Sequence, residues 1–126
     1  MDHVLYSDGN TEKITWVIRT GDSKISQMRT HVDLYKDKIT ALQSKYISLH
    51  IGLFWGIGVF LIKNEDTIKI KLDEKSMFDQ LTTDLEINDR LIEDRIQFIR
   101  QLIKQRKLKI QFELIDTCEN LAKENI

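Results

Sequence analysis

The side chains that could bind a metal or act as nucleophiles are few and scattered in this chain of 126 residues. Its three histidines occur singly, without the HExxH or Glu-x-x-His spacing that holds metals on helices. The nearest approach to a ligand pair is His31-x-Asp33. Cys118 is the single cysteine and has no histidine nearby in the sequence, which argues against both a thiolate nucleophile and a thiolate zinc site. The sequence therefore predicts no catalytic residue, no metal and no cofactor, and a protein that is not an enzyme.

The remaining polar motifs favour the same interpretation. The carboxylates at Glu93-Asp94 and at Asp33 and Asp37 lie opposite apolar positions and beside basic residues, as is typical of a solvated helix face. Gly56-Ile-Gly58 lies in a strongly apolar segment with no basic or hydroxyl residue placed to bind phosphate. It is therefore neither a P-loop nor a dinucleotide fingerprint. No small-molecule substrate is evident.

Positive charge is concentrated in one place, the segment 100–109, RQLIKQRKLK. We call its cations the basic patch; they are Arg100, Lys104, Arg106, Lys107 and Lys109. The patch could contact a nucleic-acid backbone, an anionic membrane surface or an acidic partner, but a solvated helix face is the simplest interpretation. The formal net charge of −1 gives no global reason to expect nucleic acid, so the sequence disfavours nucleic acid as a partner.

An apolar pattern predicts which elements position these residues. Alternating steps of three and four connect seven apolar or aromatic residues, called here the interaction seam: Ile25, Met28, Val32, Tyr35, Ile39, Leu42 and Tyr46. This spacing is that of a heptad repeat. The chain contains no proline to interrupt a helix. We therefore predict a heptad helix over about 22–62, roughly 60 Å long at 1.5 Å per residue, preceded by an N-terminal segment at 1–21.

The second part of this helix, 46–62, is apolar on every side and carries no formal charge over seventeen residues. Such a helix must be buried, in protein or in lipid. Gly52-x-x-x-Gly56 has the spacing of a close-packing face in membrane helices, whereas His50 and the central Trp55 favour a protein core. A single-pass membrane span is preferred, with a cytoplasmic protein containing a buried core helix as the alternative. Nothing indicates secretion.

The rest of the chain predicts a second helical region. Residues 63–75 form a polar linker or a short edge strand, and 76–126 form an amphipathic region with a helix at about 76–124. Strict alternation within 106–114 lets a strand compete there. Residues 3–19 are equally open, as a helix or as a short hairpin around Asp8-Gly9. The fold class expected is all-α, with two long helices in a coiled coil or helical bundle.

The function expected from this pattern is assembly. The sequence predicts a non-enzymatic coiled-coil interaction protein, with residues 46–62 as a candidate membrane anchor. Its expected partner is a second copy of the chain or another helical protein. The alternative is a soluble oligomeric helical bundle of unknown binding function, in which segment 100–109 gives only weak support for nucleic-acid binding.

Overall fold

The computed structural model describes residues 1–126, apart from the side chain of Asn125, and its architecture is mixed α/β. Strands and helices follow one another along the whole chain. In order they are β1 (Asp2–Gly9), β2 (Lys13–Thr20), β3 (Ser23–Thr30), α1 (Ala41–Gly58), β4 (Thr67–Leu72), α2 (Lys75–Thr82), α3 (Arg90–Arg106) and β5 (Lys109–Leu114), followed by two 3-10 turns at Thr117–Glu119 and Leu121–Asn125.

The five strands form one sheet in the order β3-β2-β1-β4-β5. The first three are consecutive antiparallel neighbours, whereas β4 pairs parallel with β1, and β5 pairs parallel with β4. Parallel neighbours need a long crossover connection. Helix α1 lies in the connection that leads to β4, and α2 and α3 lie in the one that leads to β5.

Helix α1 is apolar on all sides because it lies between the sheet and α3. One side contacts β1 and β2, where Trp55 meets Trp16 with ring centroids 6.0 Å apart. The other side faces α3, whose buried isoleucines belong to the same core. The core residues that α1 itself buries are Tyr46, Ile47, Leu49 and Leu53. Much of the apolar segment 46–62 is therefore covered by protein, whereas Phe54, Val59 and Phe60 remain exposed.

The expectation of a membrane span is wrong. Among the residues that the structure describes, no helix combines the length and the apolar character needed to cross a bilayer. The two glycines offered as a close-packing face instead pack against their own chain. A Cβ built on Gly52 would lie 3.0 Å from Cγ of Trp16, and one on Gly56 would lie 2.6 Å from Cδ1 of Ile62.

The second face of the sheet is covered by the C-terminal turns. Because successive side chains of a strand point to opposite faces, Leu5 belongs to the main core and Tyr6 to a smaller cluster on the other side. That cluster contains Val17 and Ala122. The hydroxyl of Thr15 donates a hydrogen bond of 2.7 Å to the carbonyl of Ala122, which ties the turn to β2.

The expected all-α fold with two long helices is also wrong, and local signals explain where the helices really begin. Thr40 caps α1 in a capping box with Gln43, since each accepts a hydrogen bond from the other's backbone N–H. Asp89 caps α3 by accepting from the N–H of Ile92 at 3.1 Å. Upstream of Thr40 the chain turns at Gly21, whose φ of +58° suits glycine. The predicted helix over 22–62 is thus divided between β3, an irregular connection and α1.

The interaction seam is divided in the same way. Its first two members, Ile25 and Met28, lie on β3, and its last two, Leu42 and Tyr46, lie on α1; the other three lie in the connection between these elements. No single face carries all seven. Strands also occupy the two segments left open: the hairpin of β1 and β2 spans 3–19, and β5 lies within 106–114.

The close approach of β1 to α1 gives a test of this packing. A Cβ on Gly9 would contact the Ser44 side chain and lie 2.8 Å from its backbone carbonyl carbon, which cannot move without shifting α1. Gly9→Ala should therefore lower the free energy of unfolding by about 1–3 kcal/mol, measured by urea denaturation. Gly58→Ala is the control because nothing lies within 4 Å of its added Cβ; it should be neutral or stabilising by about 1 kcal/mol or less. Equal losses in both variants would contradict this packing.

Candidate functional site

The pairing of β1 with β4 brings two aspartates side by side. Tyr6 of β1 lies opposite Lys71 of β4, so the parallel register carried two residues further places Asp8 beside Asp73. Both aspartates are therefore at the carboxyl ends of adjacent parallel strands. The chain leaves β1 toward β2 on one side of this pair, while β5 follows β4 on the other side. In open α/β sheets, ligands bind at such a point.

A lysine from α1 completes this cluster, which we call the β1–β4 centre; its members are Asp8, Lys45, Asp73, Glu74 and Asn120. The ammonium of Lys45 lies 3.2 Å from Oδ1 of Asp73, 3.7 Å from Oε2 of Glu74 and 3.8 Å from Oδ1 of Asp8. The Asp73 side chain is 3% exposed and that of Asp8 is 7% exposed. One cation thus faces three carboxylates, two of them buried.

Hydrogen bonds fix the two aspartates from behind. Oδ1 of Asp8 accepts the backbone N–H of Gly9 at 2.8 Å. Asn120 donates through Nδ2 to Oδ2 of Asp73 at 3.1 Å and to the carbonyl of Ser7 at 3.0 Å. Asn120 is itself buried, and its Oδ1 accepts from the N–H of Ala122. The C-terminal turns therefore hold the side chain that orients Asp73.

Lys45 is positioned by the start of α1. It lies in the second turn of the helix that Thr40 caps, and its neighbour Ser44 is buried against β1, where Gly9 leaves room. The Ser44 hydroxyl is 2.7 Å from Nε2 of His31. These contacts fix the helix start, so the Lys45 side chain must extend along the end of the sheet to reach Asp73.

Burial and charge act in opposite directions in this centre. Burial raises the pKa of Asp8 above its ordinary value, outweighing the Gly9 N–H and Lys45, which both favour the ionised form. Burial by itself lowers the pKa of Lys45, but the neighbouring carboxylates, Asp73 foremost, raise it above the ordinary value. Lys45 therefore stays charged at neutral pH, while the ionised form of Asp8 is held at a free-energy penalty.

The arrangement offers a carboxylate suited to accept a proton beside a fixed positive charge. Asp73 also lines an open cleft of about 400 Å³ together with Lys75, Asp116 and Glu119. Clustered carboxylates at such a position could instead hold divalent cations, as in two-metal catalytic sites. The β1–β4 centre does not fit that pattern, because the ammonium of Lys45 already occupies the space between its carboxylates. Among the described residues, no group of three or more His, Cys, Asp or Glu side chains has an arrangement that could hold a metal.

None of the residues singled out from the sequence belongs to this centre. The basic patch lies toward the other end of the strands, since Lys109 pairs with Thr67 at the beginning of β4. The sequence predicted Asp8-Gly9 as the turn of a possible hairpin and 63–75 as a polar linker or a short edge strand, and it assigned neither aspartate to a site. A signal was present: an aspartate stands at the end of each of two alternating apolar segments, β1 and β4.

No family model matches the sequence, and no curated protein matches it at a significant level. Solved structures do match. The RNase H1 of Halobacterium salinarum NRC-1 superposes with a TM-score of 0.73 at 17% identity, over 97% of this chain and 91% of that one. The N-terminal RNase H domain of rv2228c from Mycobacterium tuberculosis gives 0.69 at 17% identity, over 98% and 91%. LC11-RNase H1 in complex with an RNA/DNA hybrid gives 0.69 at 16% identity, over 97% and 91%. The chain thus has an RNase H-like fold.

These similarities correct the expected function. A coiled-coil assembly protein is wrong, because the fold is that of ribonuclease H1 domains. The same finding contradicts the expectation of a protein that is not an enzyme, since the matched proteins are ribonucleases. The expectation that disfavoured nucleic acid is contradicted as well, because one matched structure contains an RNA/DNA hybrid.

The penalty on ionised Asp8 gives a test of the centre. Asp8→Asn removes the charge and keeps an oxygen to accept the Gly9 N–H, so it should raise the free energy of unfolding at pH 7 by about 0.5–2 kcal/mol. Because the folded-state pKa of Asp8 is raised, the penalty is full above that pKa and absent below the ordinary value of about 3.9. The gain should therefore shrink as the pH falls from 7 toward 4.

Urea denaturation across this pH range measures the effect. Asp94→Asn is the matched control, because Asp94 is an exposed partner of Arg90 on α3; it should change stability by about 0.5 kcal/mol or less. A loss of stability in Asp8→Asn at pH 7 would contradict the assignment of electrostatic strain to Asp8.

Proposed function

We propose that this chain binds RNA/DNA hybrid duplexes and hydrolyses a phosphodiester of the RNA strand at the β1–β4 centre. The observation that carries the proposal is the position of Asp8, Lys45 and Asp73 at the carboxyl ends of β1 and β4, in a chain whose fold covers ribonuclease H1 nearly end to end. The substrate class comes from LC11-RNase H1, whose structure contains a hybrid.

The reaction follows from the charges in the centre. A water molecule beside Asp8 attacks phosphorus; its oxygen bonds to phosphorus and its proton passes to the Asp8 carboxylate. The bond from phosphorus to the leaving sugar oxygen breaks, and that oxygen takes a proton from solvent. The raised pKa of Asp8 makes it a better proton acceptor than an ordinary aspartate. The Lys45 ammonium stabilises the negative charge that develops on the phosphoryl oxygens.

Attraction of the duplex must come from outside the centre. Three carboxylates face one ammonium there, so fully ionised they leave an excess of negative charge that repels a phosphate. The basic patch lies at the other end of β4, roughly 20 Å away for a six-residue strand at about 3.3 Å per residue. This distance is shorter than one turn of a duplex, about 34 Å. One bound duplex is therefore long enough to contact both the β1–β4 centre and the basic patch. We place the backbone of the bound duplex across the patch.

Cleavage of a labelled RNA/DNA hybrid tests the reaction. Wild-type protein should cleave the RNA strand, and Asp8→Asn should lower the rate by about 10²–10⁴-fold because it removes the proton acceptor. Asp94→Asn, the same chemical change on an exposed face of α3, should leave the rate unchanged. Binding of the hybrid is measured in parallel by fluorescence anisotropy. Binding without cleavage would overturn the reaction but keep the substrate class, and absence of binding at low salt would overturn both.

The salt dependence of hybrid binding tests the role of the basic patch. Log K falls linearly with log salt, and each phosphate contact contributes about −0.9 to the slope. Lys104→Gln with Arg106→Gln should reduce the slope by about 2 and weaken binding to all duplex sequences alike. Lys24→Gln with Lys36→Gln, two exposed cations on other parts of the chain, is the control. An unchanged slope in the patch variant would exclude the patch from the interface.

A further inference from the structure

The ammonium of Lys45 stands where a cation shared by the three carboxylates would stand. It lies within 4 Å of one oxygen from each of Asp8, Asp73 and Glu74, with the distances given above. The ammonium donates a hydrogen bond to Oδ1 of Asp73 and makes longer ion pairs with Glu74 and Asp8. The Lys45 side chain is only 18% exposed, so the contact is not a loose surface pair. Lys45 is therefore held inside the β1–β4 centre by its ion pairs with the three carboxylates.

A divalent cation needs the same oxygens. Mg²⁺ binds oxygen at about 2.0–2.1 Å and Ca²⁺ at about 2.3–2.6 Å, so an ion bridging Asp8 and Asp73 would lie in the space that the ammonium occupies. The two positive charges would also repel each other at close range. The lysine therefore competes with the metal both for space and for charge.

The aspartates have little freedom to form a second arrangement. The Gly9 N–H holds Oδ1 of Asp8, and Asn120 holds Oδ2 of Asp73. Asn120 is buried and also bound to the Ser7 carbonyl, so it cannot move aside without leaving a buried carbonyl unsatisfied. An ion entering the centre would have to displace Lys45 and leave its charge without the carboxylates that hold it.

We infer that Lys45 replaces a divalent cation in the β1–β4 centre, so that the native chain excludes Mg²⁺ and Mn²⁺ there and substitution of Lys45 opens a cation site between Asp8 and Asp73. The geometry of the centre carries this inference by itself. It deepens the proposed function, because it makes the lysine and not a metal ion the positive charge available to a bound phosphodiester.

Cation binding is measured without nucleic acid. Mn²⁺ is titrated into wild-type protein, Lys45→Ala and Lys45→Glu, and free Mn²⁺ is followed by electron paramagnetic resonance. We expect wild-type protein to show no binding to the centre at 1 mM Mn²⁺. Lys45→Glu, which adds a fourth carboxylate, should bind Mn²⁺ with a dissociation constant at least tenfold below that concentration. Lys24→Glu, the same charge reversal on an exposed part of β3, should behave like wild type. Adding Asp73→Asn to Lys45→Glu should abolish the new binding.

Two results would overturn the inference. One is tight Mn²⁺ binding by wild-type protein that Asp73→Asn removes; the other is no binding by Lys45→Ala and Lys45→Glu when circular dichroism shows both to be folded. Hybrid cleavage in EDTA is a separate measurement. Wild-type cleavage should persist in EDTA, whereas Lys45→Glu should need added Mn²⁺. If wild-type protein neither binds nor cleaves a hybrid, the proposed function fails, but the Mn²⁺ titration still decides the inference.

Discussion

The parallel pairing of β1 with β4 is the constraint on which the rest of the structure depends. Two adjacent parallel strands require a long connection over a face of the sheet, and α1 in that connection becomes the central buried element between the sheet and α3. The same pairing brings the carboxyl ends of both strands to the same end of the sheet. Asp8 and Asp73 therefore become neighbours, although 64 residues lie between them in the sequence. The pairing of β1 with β4 therefore determines both the buried position of α1 and the position of the candidate site.

Placing two buried carboxylates side by side has an electrostatic consequence. Like charges in a low-dielectric site raise each other's free energy, and a cation or a proton must offset the repulsion. In this chain the lysine on α1 supplies the cation, and the pKa of Asp8 is raised mainly by burial, with a smaller contribution from Asp73. A buried aspartate with a raised pKa thus lies at the carboxyl ends of the strands, where ligands of α/β proteins bind, a combination typical of functional sites.

Part of the local structure can be predicted from the sequence, and each wrong prediction has a specific physical cause. The sequence predicts burial of the apolar segment 46–62, and the structure buries only part of it, leaving Phe54 and Phe60 exposed. Periodicity does not distinguish lipid, a second chain or a sheet as the partner that covers such a segment. The interaction seam arose because Ile25 and Met28 on β3 happen to continue, at steps of three and four, the pattern of Leu42 and Tyr46 on α1. The capping box of Thr40 and Gln43 begins α1, and this local signal, not the longer heptad pattern, determines where the helix starts.

By itself the sequence determined a chain with one apolar core, an apolar helix that must be covered, helix starts at capping residues and alternating segments able to form strands. These are local properties, set by side-chain size, hydrogen bonding and periodicity within a few residues. Only the tertiary structure decided which strands pair and in which register. For that reason Asp8, Lys45, Asp73 and Asn120 could not be recognised as one group. They come from β1, α1, the end of β4 and the C-terminal turns, and only sheet pairing across the whole chain brings them into ion-pair and hydrogen-bond contact.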